Sequence, residues 1–171
     1  MPTPAGEVAE TLGMLHNQRK LLRATAHGLT EAQAAERSTV SELTIGGLLN
    51  HVATTETFWI NIFAERTVAF DFDPDQYRVP AGQTLAGLLD RWAEVARATE
   101  RTVTELGDLD HVVALPEFPW APGTNDYWTR RRILLHVLRE IAHHCGHADI
   151  IREAIDGANT TMQMARINAE A

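Results

Sequence analysis

Four of the chain's eight histidines fall in one twelve-residue stretch, His136 to His147, inside a segment that reads as a helix. The stretch runs His136-Val-Leu-Arg-Glu140-Ile-Ala-His143-His144-Cys-Gly-His147. At ~100° per residue, and with Glu140 at zero, His136, His143, His144 and His147 fall at about −40°, −60°, +40° and −20°. Five polar groups thus share one helix face, an arc of about 100°. That is where an amphipathic helix normally carries its apolar stripe. A core-facing wall of imidazoles and one carboxylate costs more desolvation than packing returns. The pattern points to a metal site within a helical fold.

The remaining sequence supplies helices to face it. Val8, Leu12, Leu15, Leu22 and Ala26 recur at helical spacings and predict a first helix over residues 5–26, with Gly28 as its stop. Thr44 is an N-cap for a second helix carrying Ile45, Leu48, Leu49, Val52, Phe58, Trp59, Ile62 and Phe63 and ending near Arg66. Thr84 caps a third, with Leu85, Leu88, Leu89, Trp92, Val95 and Ala96 as its stripe, ending near Leu106-Gly107. Thr129 caps the fourth, the histidine helix, and Gly157 is its C-terminal stop. Residues 29–43 connect the first two helices. The Asp, Pro and Gly content of Asp71–Gly82 argues against regular structure there. Residues 108–128 form a second long connector; its prolines exclude a helix and leave room for a short hairpin. The expected fold is all-α: a four-helix bundle over residues 1–157 with two long connectors, followed by a tail or short helix at 158–171.

Bulk properties narrow the function. One domain suits 171 residues. A net charge of −8, with Arg130-Arg131-Arg132 as the only dense basic run, argues against nucleic acid as a partner. Cys145 is the only cysteine, so no intrachain disulfide forms and a cytoplasmic setting is expected. The opening Met-Pro-Thr-Pro-Ala-Gly-Glu lacks the pattern of a secretory leader, and no apolar run is long enough to span a membrane.

A bundle builds metal sites from inward side chains of facing helices. Outside the cluster the candidates are His16, His27, His51 and His111. His27 falls at a helix end, His111 in a connector and His16 beside Lys20, whereas His51 lies mid-helix, with Gly47 one turn back leaving room beside its ring. On the fourth helix, Glu140/His144 and His143/His147 can each close on one ion at i, i+4, and His144/His147 at i, i+3. Three protein ligands and one open position describe a catalytic site rather than a structural one. Such donors suit Zn²⁺, Ni²⁺ or Fe²⁺. His136 and His143 read as marginal to the cluster. Cys145 lies away from it and reads as packing. Trp59 and Trp92 fall on core stripes, Trp120 and Trp128 are placed to wall a pocket, and Arg131 and Arg132 read as a solvated first turn.

Two segments resemble a known pattern. Thr44-Ile-Gly-Gly-Leu-Leu-Asn-His51-Val-Ala-Thr-Thr-Glu56-Thr-Phe-Trp59 is similar to the second helix of the DinB-like superfamily, in its DUF664 branch. The segment from Ile133 to Gly157, with His136, Glu140, His144, His147, Asp149, Arg152 and Asp156, resembles that group's closing helix. Two departures stand out: His143 occupies a position where the group tends to carry Arg, and the helix opens on Tyr127-Trp-Thr-Arg-Arg-Arg132. The resemblance implies a DinB-type bundle, a homodimer, and one divalent metal on three side chains. By similarity to mycothiol-dependent maleylpyruvate isomerases, it implies His51, Glu140 and His144 as ligands.

The function expected on this basis is metal-dependent transfer or isomerisation with a low-molecular-weight thiol, mycothiol-like, acting on a small electrophile. Zinc is the expected metal and His147 the expected catalytic proton shuttle, with His143 as its alternate. The competing readings are a metal-dependent hydrolase using Glu56 or His147 as base, and a non-catalytic, stress-related metal-binding module.

Overall fold

The computed structural model describes residues 6–68, 73–118, 122–123 and 126–170. Four long helices carry the fold: α1 (Glu7–Thr25), α3 (Ile45–Phe63), α4 (Leu85–Leu106) and α5 (Arg130–Asp156). A one-turn helix α2 (Glu31–Ala34) lies in the first connector, and α6 (Thr160–Glu170) closes the chain. Two three-residue strands, β1 (Val112–Ala114) and β2 (Tyr127–Thr129), pair antiparallel with Val113 opposite Trp128. The all-α bundle expected from periodicity is the observed architecture.

The helix starts obey local chemistry. The Thr44, Thr84 and Thr129 hydroxyls accept from the backbone N–H groups of Gly47, Gly87 and Arg132, each satisfying a donor the helix itself leaves unpaired. Thr30 and Gln33 form a reciprocal capping box at α2. Gly157 ends α5 at φ 75°, a left-handed position that favours glycine. Buried arginines also cap helix ends. Arg152 donates to the carbonyls of Thr25, the last residue of α1, and His27 just beyond it, both at 2.8 Å, while Asp156 pairs its other nitrogens. Arg130 donates to the carbonyl of Phe63 at the end of α3 (3.0 Å) and lies over the Phe63 ring.

α1 packs along α5, and α3 along both α4 and α5; α1 and α4 meet only sparsely. The core between them contains Leu15 and Leu22 of α1, Leu48, Leu49 and Phe63 of α3, Leu88 and Trp92 of α4, and Ile133, Leu134 and Ile141 of α5. Residues 158–170, expected as a tail or short helix, form α6, which docks on α1 and buries Gln163. The hairpin that residues 108–128 had room for is β1–β2. It delivers the chain into α5, whose first N–H groups donate back to the carbonyls of His111 and Leu109. Among the described residues no helix is long and apolar enough to cross a membrane.

One expectation fails locally. Part of the Asp71–Gly82 loop lies outside the described residues, but Pro74–Tyr77 is a regular 3₁₀ turn. Asp73 caps it, with its carboxylate accepting from the Asp75 N–H at 2.8 Å. Proline at the first position of a short helix is compatible with that geometry, which composition alone does not reveal. The turn is clamped onto α3. The Asn50 amide donates to the carbonyls of Gln76 (3.0 Å) and Arg78 (3.2 Å). The close approach requires Gly47: a Cβ there would sit 1.9 Å from the Tyr77 carbonyl oxygen. The space beside Gly47 thus serves the backbone of the turn rather than the His51 ring. Gly47→Ala is therefore expected to lower unfolding stability by about 2 kcal/mol or more, measured by urea denaturation, because the turn must lift off the helix.

Candidate metal centre

His51 on α3 and Glu140 and His144 on α5 converge across the bundle. One ligand atom from each lies within 4.8 Å of the other two, the only such group of metal-ligating side chains among the described residues. The i, i+4 spacing aligns Glu140 and His144 on one face of α5, with His144 Nε2 3.8 Å from Glu140 Oε2. The packing of α3 on α5 brings His51 to them, and its ring meets that of His144 edge-on with centroids 4.6 Å apart.

The tautomers follow from the surroundings. His51 Nδ1 lies 2.9 Å from Gln76 Oε1, so the amide oxygen takes the Nδ1–H and the Nε2 lone pair is left for the site. Nε2 is buried and has no hydrogen-bond partner among the described residues. A buried acceptor without a partner is costly, and a bound cation removes the cost. His144 Nδ1 lies 3.3 Å from His147 Nδ1; with the His144 Nε2 lone pair given to an ion shared with Glu140, Nδ1–H would be the donor and His147 the acceptor. Both imidazoles thus have the arrangement of a metal-bound histidine: one nitrogen free for the ion, the other held by a neighbour. The donor set fits a divalent cation.

Burial pushes both imidazoles towards the neutral form that a ligand requires. It lowers the His51 pKa, only partly opposed by Gln76 and Glu140. His144 falls to about 4, through burial first and the neighbouring His51 second. Burial would raise Glu140, but the Arg139 hydrogen bond, His136 and His144 outweigh it and hold the carboxyl below its ordinary value. The site thus presents two neutral imidazoles and one carboxylate.

The walls are aromatic. Tyr77, carried by the 3₁₀ turn, stacks on His51 at 4.2 Å. Trp59 and Trp128 stack face to face at 5.0 Å, and both press edge-on against His136. Trp128 walls the site as expected; Trp120 lies outside the described residues. Trp59, read as core, is buried but also forms this wall. Trp92 is core as expected.

The other histidines separate. His136, expected at the margin, has Nε2 3.5 Å from Glu140 Oε1 and belongs to the carboxylate's immediate surroundings. His143 is exposed, its ring against those of His144 and His147. His111 pairs with Glu65, His27 lies 3.2 Å from Glu170, and His16 is exposed on α1. Glu56, weighed as a hydrolytic base, is corrected. It is buried on the α1/α4 side of α3, where its carboxylate takes both arms of Arg19, the Trp92 indole N–H (3.0 Å) and the Thr99 hydroxyl (2.7 Å). The first turn is solvated as read: Arg132 is exposed over the Trp128 ring, and Arg131 pairs at the surface with Glu7 and Asp110. Cys145 is buried packing, its thiol pushed up to about 11 by burial and by Asp149.

Sequence patterns missed Gln76, Tyr77 and Arg139. The first two come from a loop with no periodicity. The only trace of them is Gly46-Gly47 at the start of α3, a pair that marks a close backbone approach.

Against known proteins, the model of the mycothiol-S-transferase family matches residues 10–157. A crystal structure described as a conserved protein from Enterococcus faecalis superposes with a TM-score of 0.68 at 15% identity. The match covers 91% of this chain and 100% of that one, and it supports the fold. No curated protein matches.

Acid should destabilise the metal-free protein through His144. Its folded pKa, about 4, lies below the 6.5 of an ordinary histidine, so the unfolded chain binds the proton more tightly. Stability present above pH ~6.5 is lost as pH falls towards 4, by roughly 3 kcal/mol for that shift. Denaturation of chelated protein against pH should show this slope, and His144→Gln should flatten it.

Proposed function

The chain belongs to the mycothiol S-transferase family, a DinB-like group, and from this we propose that it is a metal-dependent thiol S-transferase acting on a small electrophile. The observation that carries the reading is the buried, unpartnered Nε2 of His51 facing the Glu140/His144 pair. His51, Glu140 and His144 would hold the ion. A bound divalent cation supplies the positive charge that favours a thiolate over a thiol near neutral pH.

The protein's own residues do the rest. Gln76 and His147 fix the two imidazoles in the ligating tautomer. Glu140, with its side chain 23% exposed, marks the open side of the centre. The Trp59/Trp128 wall excludes water along that side and offers an apolar surface to the electrophile. In the reaction a sulfur–carbon bond forms, the thiol proton leaves, and the electrophile's leaving group or carbanion is protonated. His147 is half-buried. It accepts from His144 at one nitrogen, and its other edge is left for exchanging that proton with water. The nucleophile is external, because the one cysteine is buried and its thiol is held protonated. Zinc as the metal, a cytoplasmic setting and assembly as a homodimer belong to the same proposal.

The hydrolytic reading is weakened by the engagement of Glu56 elsewhere. Conjugation of mycothiol to a small electrophile, followed by loss of free thiol, should be abolished by chelation and restored by one equivalent of zinc. His51→Ala and His144→Ala should lower the rate at least ~100-fold, whereas His147→Gln should weaken metal affinity by about 10- to 100-fold. Full activity in chelated protein would contradict the proposal.

A further inference from the structure

The sparse meeting of α1 and α4 leaves a cavity of about 540 Å³, within the range of small-molecule sites. None of His51, Glu140 and His144 lines it. Its chemistry is two-sided. Leu89, Trp92, Ala96 and Ile167 give it an apolar wall, while Arg19, Lys20, Arg23 and Arg97 bring four cations against one lining acid, Glu100. In a chain of net charge −8 that local excess runs against the whole.

The four cations are not all spent on the protein. Arg19 is 4% exposed, and its Nε and Nη2 are committed to Glu56. Its Nη1 has no hydrogen-bond partner among the described residues, is closed off from solvent, and forms an ion pair with Glu100 at 3.6 Å. Arg23 gives one nitrogen to the Leu89 carbonyl at 2.8 Å. Lys20 and Arg97 have no ion-pair partner among the described residues.

We propose that this cavity is a second ligand site, separate from the metal centre, that binds a small organic carboxylate with an apolar body. The carboxylate meets Lys20, Arg23 and Arg97 at the rim. The apolar body lies along Leu89, Trp92, Ala96 and Ile167. Charge-assisted hydrogen bonds to arginine favour a planar carboxylate head, and the apolar wall selects against small inorganic anions. The cavity is lined by α1, α4 and α6 and shares no residue with the metal centre, so the proposal stands independently of thiol transfer.

Octanoate is a suitable probe, with 1-octanol as its uncharged counterpart, both titrated calorimetrically into the zinc-loaded full chain. One octanoate should bind per chain, at least ~10-fold tighter than octanol. Lys20→Gln/Arg97→Gln, which changes only exposed side chains, should weaken octanoate at least ~5-fold and leave octanol unchanged. His144→Ala should leave octanoate affinity intact, which separates this site from carboxylate ligation of the metal. Equal affinity for octanol, full octanoate affinity in the double variant, or loss of binding in His144→Ala would each overturn the proposal.

Discussion

The structure turns on the burial of two neutral imidazoles beside a carboxylate in the interior of a helical bundle. A bundle of this size is stabilised by apolar burial, and each polar group placed inside works against it unless satisfied. Here the satisfaction is directional. Gln76 holds one nitrogen of His51, His147 holds one nitrogen of His144, and Arg139 and His136 hold Glu140. Within this cluster the buried atom left without a partner is His51 Nε2, facing Glu140 and His144 between α3 and α5. The arrangement leaves room for a cation and for little else of comparable effect.

This dependence explains features that look unrelated. Gly47 exists where the Tyr77 carbonyl must approach α3. Asn50 ties the same turn down, so that Gln76 reaches His51. Arg91 of α4 donates to Asn50 at 2.7 Å, extending the brace to a third helix. The hairpin β1–β2 places Trp128 against Trp59, which walls the open side. On the opposite face of α3, Glu56 anchors Arg19 and Trp92 and so shapes the α1/α4 cavity. One helix thus carries His51 towards the metal centre and, through Glu56, holds Arg19 and Trp92 beside the cavity between α1 and α4.

Much of this was legible in the chain. Helical periodicity and threonine caps marked the four long helices, because those signals are local and repeat along each element. The histidine face of α5 was legible for the same reason: side chains three and four apart must share a side. The pairing of His51 with Glu140 and His144, rather than with His143 and His147, was not decidable from spacing; the family resemblance selected it and the structure brings that set together. Tertiary partners left no periodic trace. Gln76 and Tyr77 arrive from a segment whose composition reads as loop. Glu56 reads as an available base until Arg19, some 37 residues earlier, is seen to hold it. His136 reads as marginal until Trp59 and Trp128 press it towards Glu140. Gln76, Tyr77 and Glu56 were missed through contacts between elements, where sequence distance says nothing about spatial distance, whereas Arg139 and His136 meet Glu140 within α5 itself.

The most direct measurement is X-ray absorption spectroscopy of the zinc-loaded protein, with metal content determined on the same sample. One ion per chain is predicted, with scattering from two imidazoles at about 2.0–2.1 Å and oxygen ligands completing the shell, reduced to one imidazole in His51→Ala. Sulfur in the shell of the protein alone, a shell unchanged in His51→Ala, or no stoichiometric metal would contradict the account.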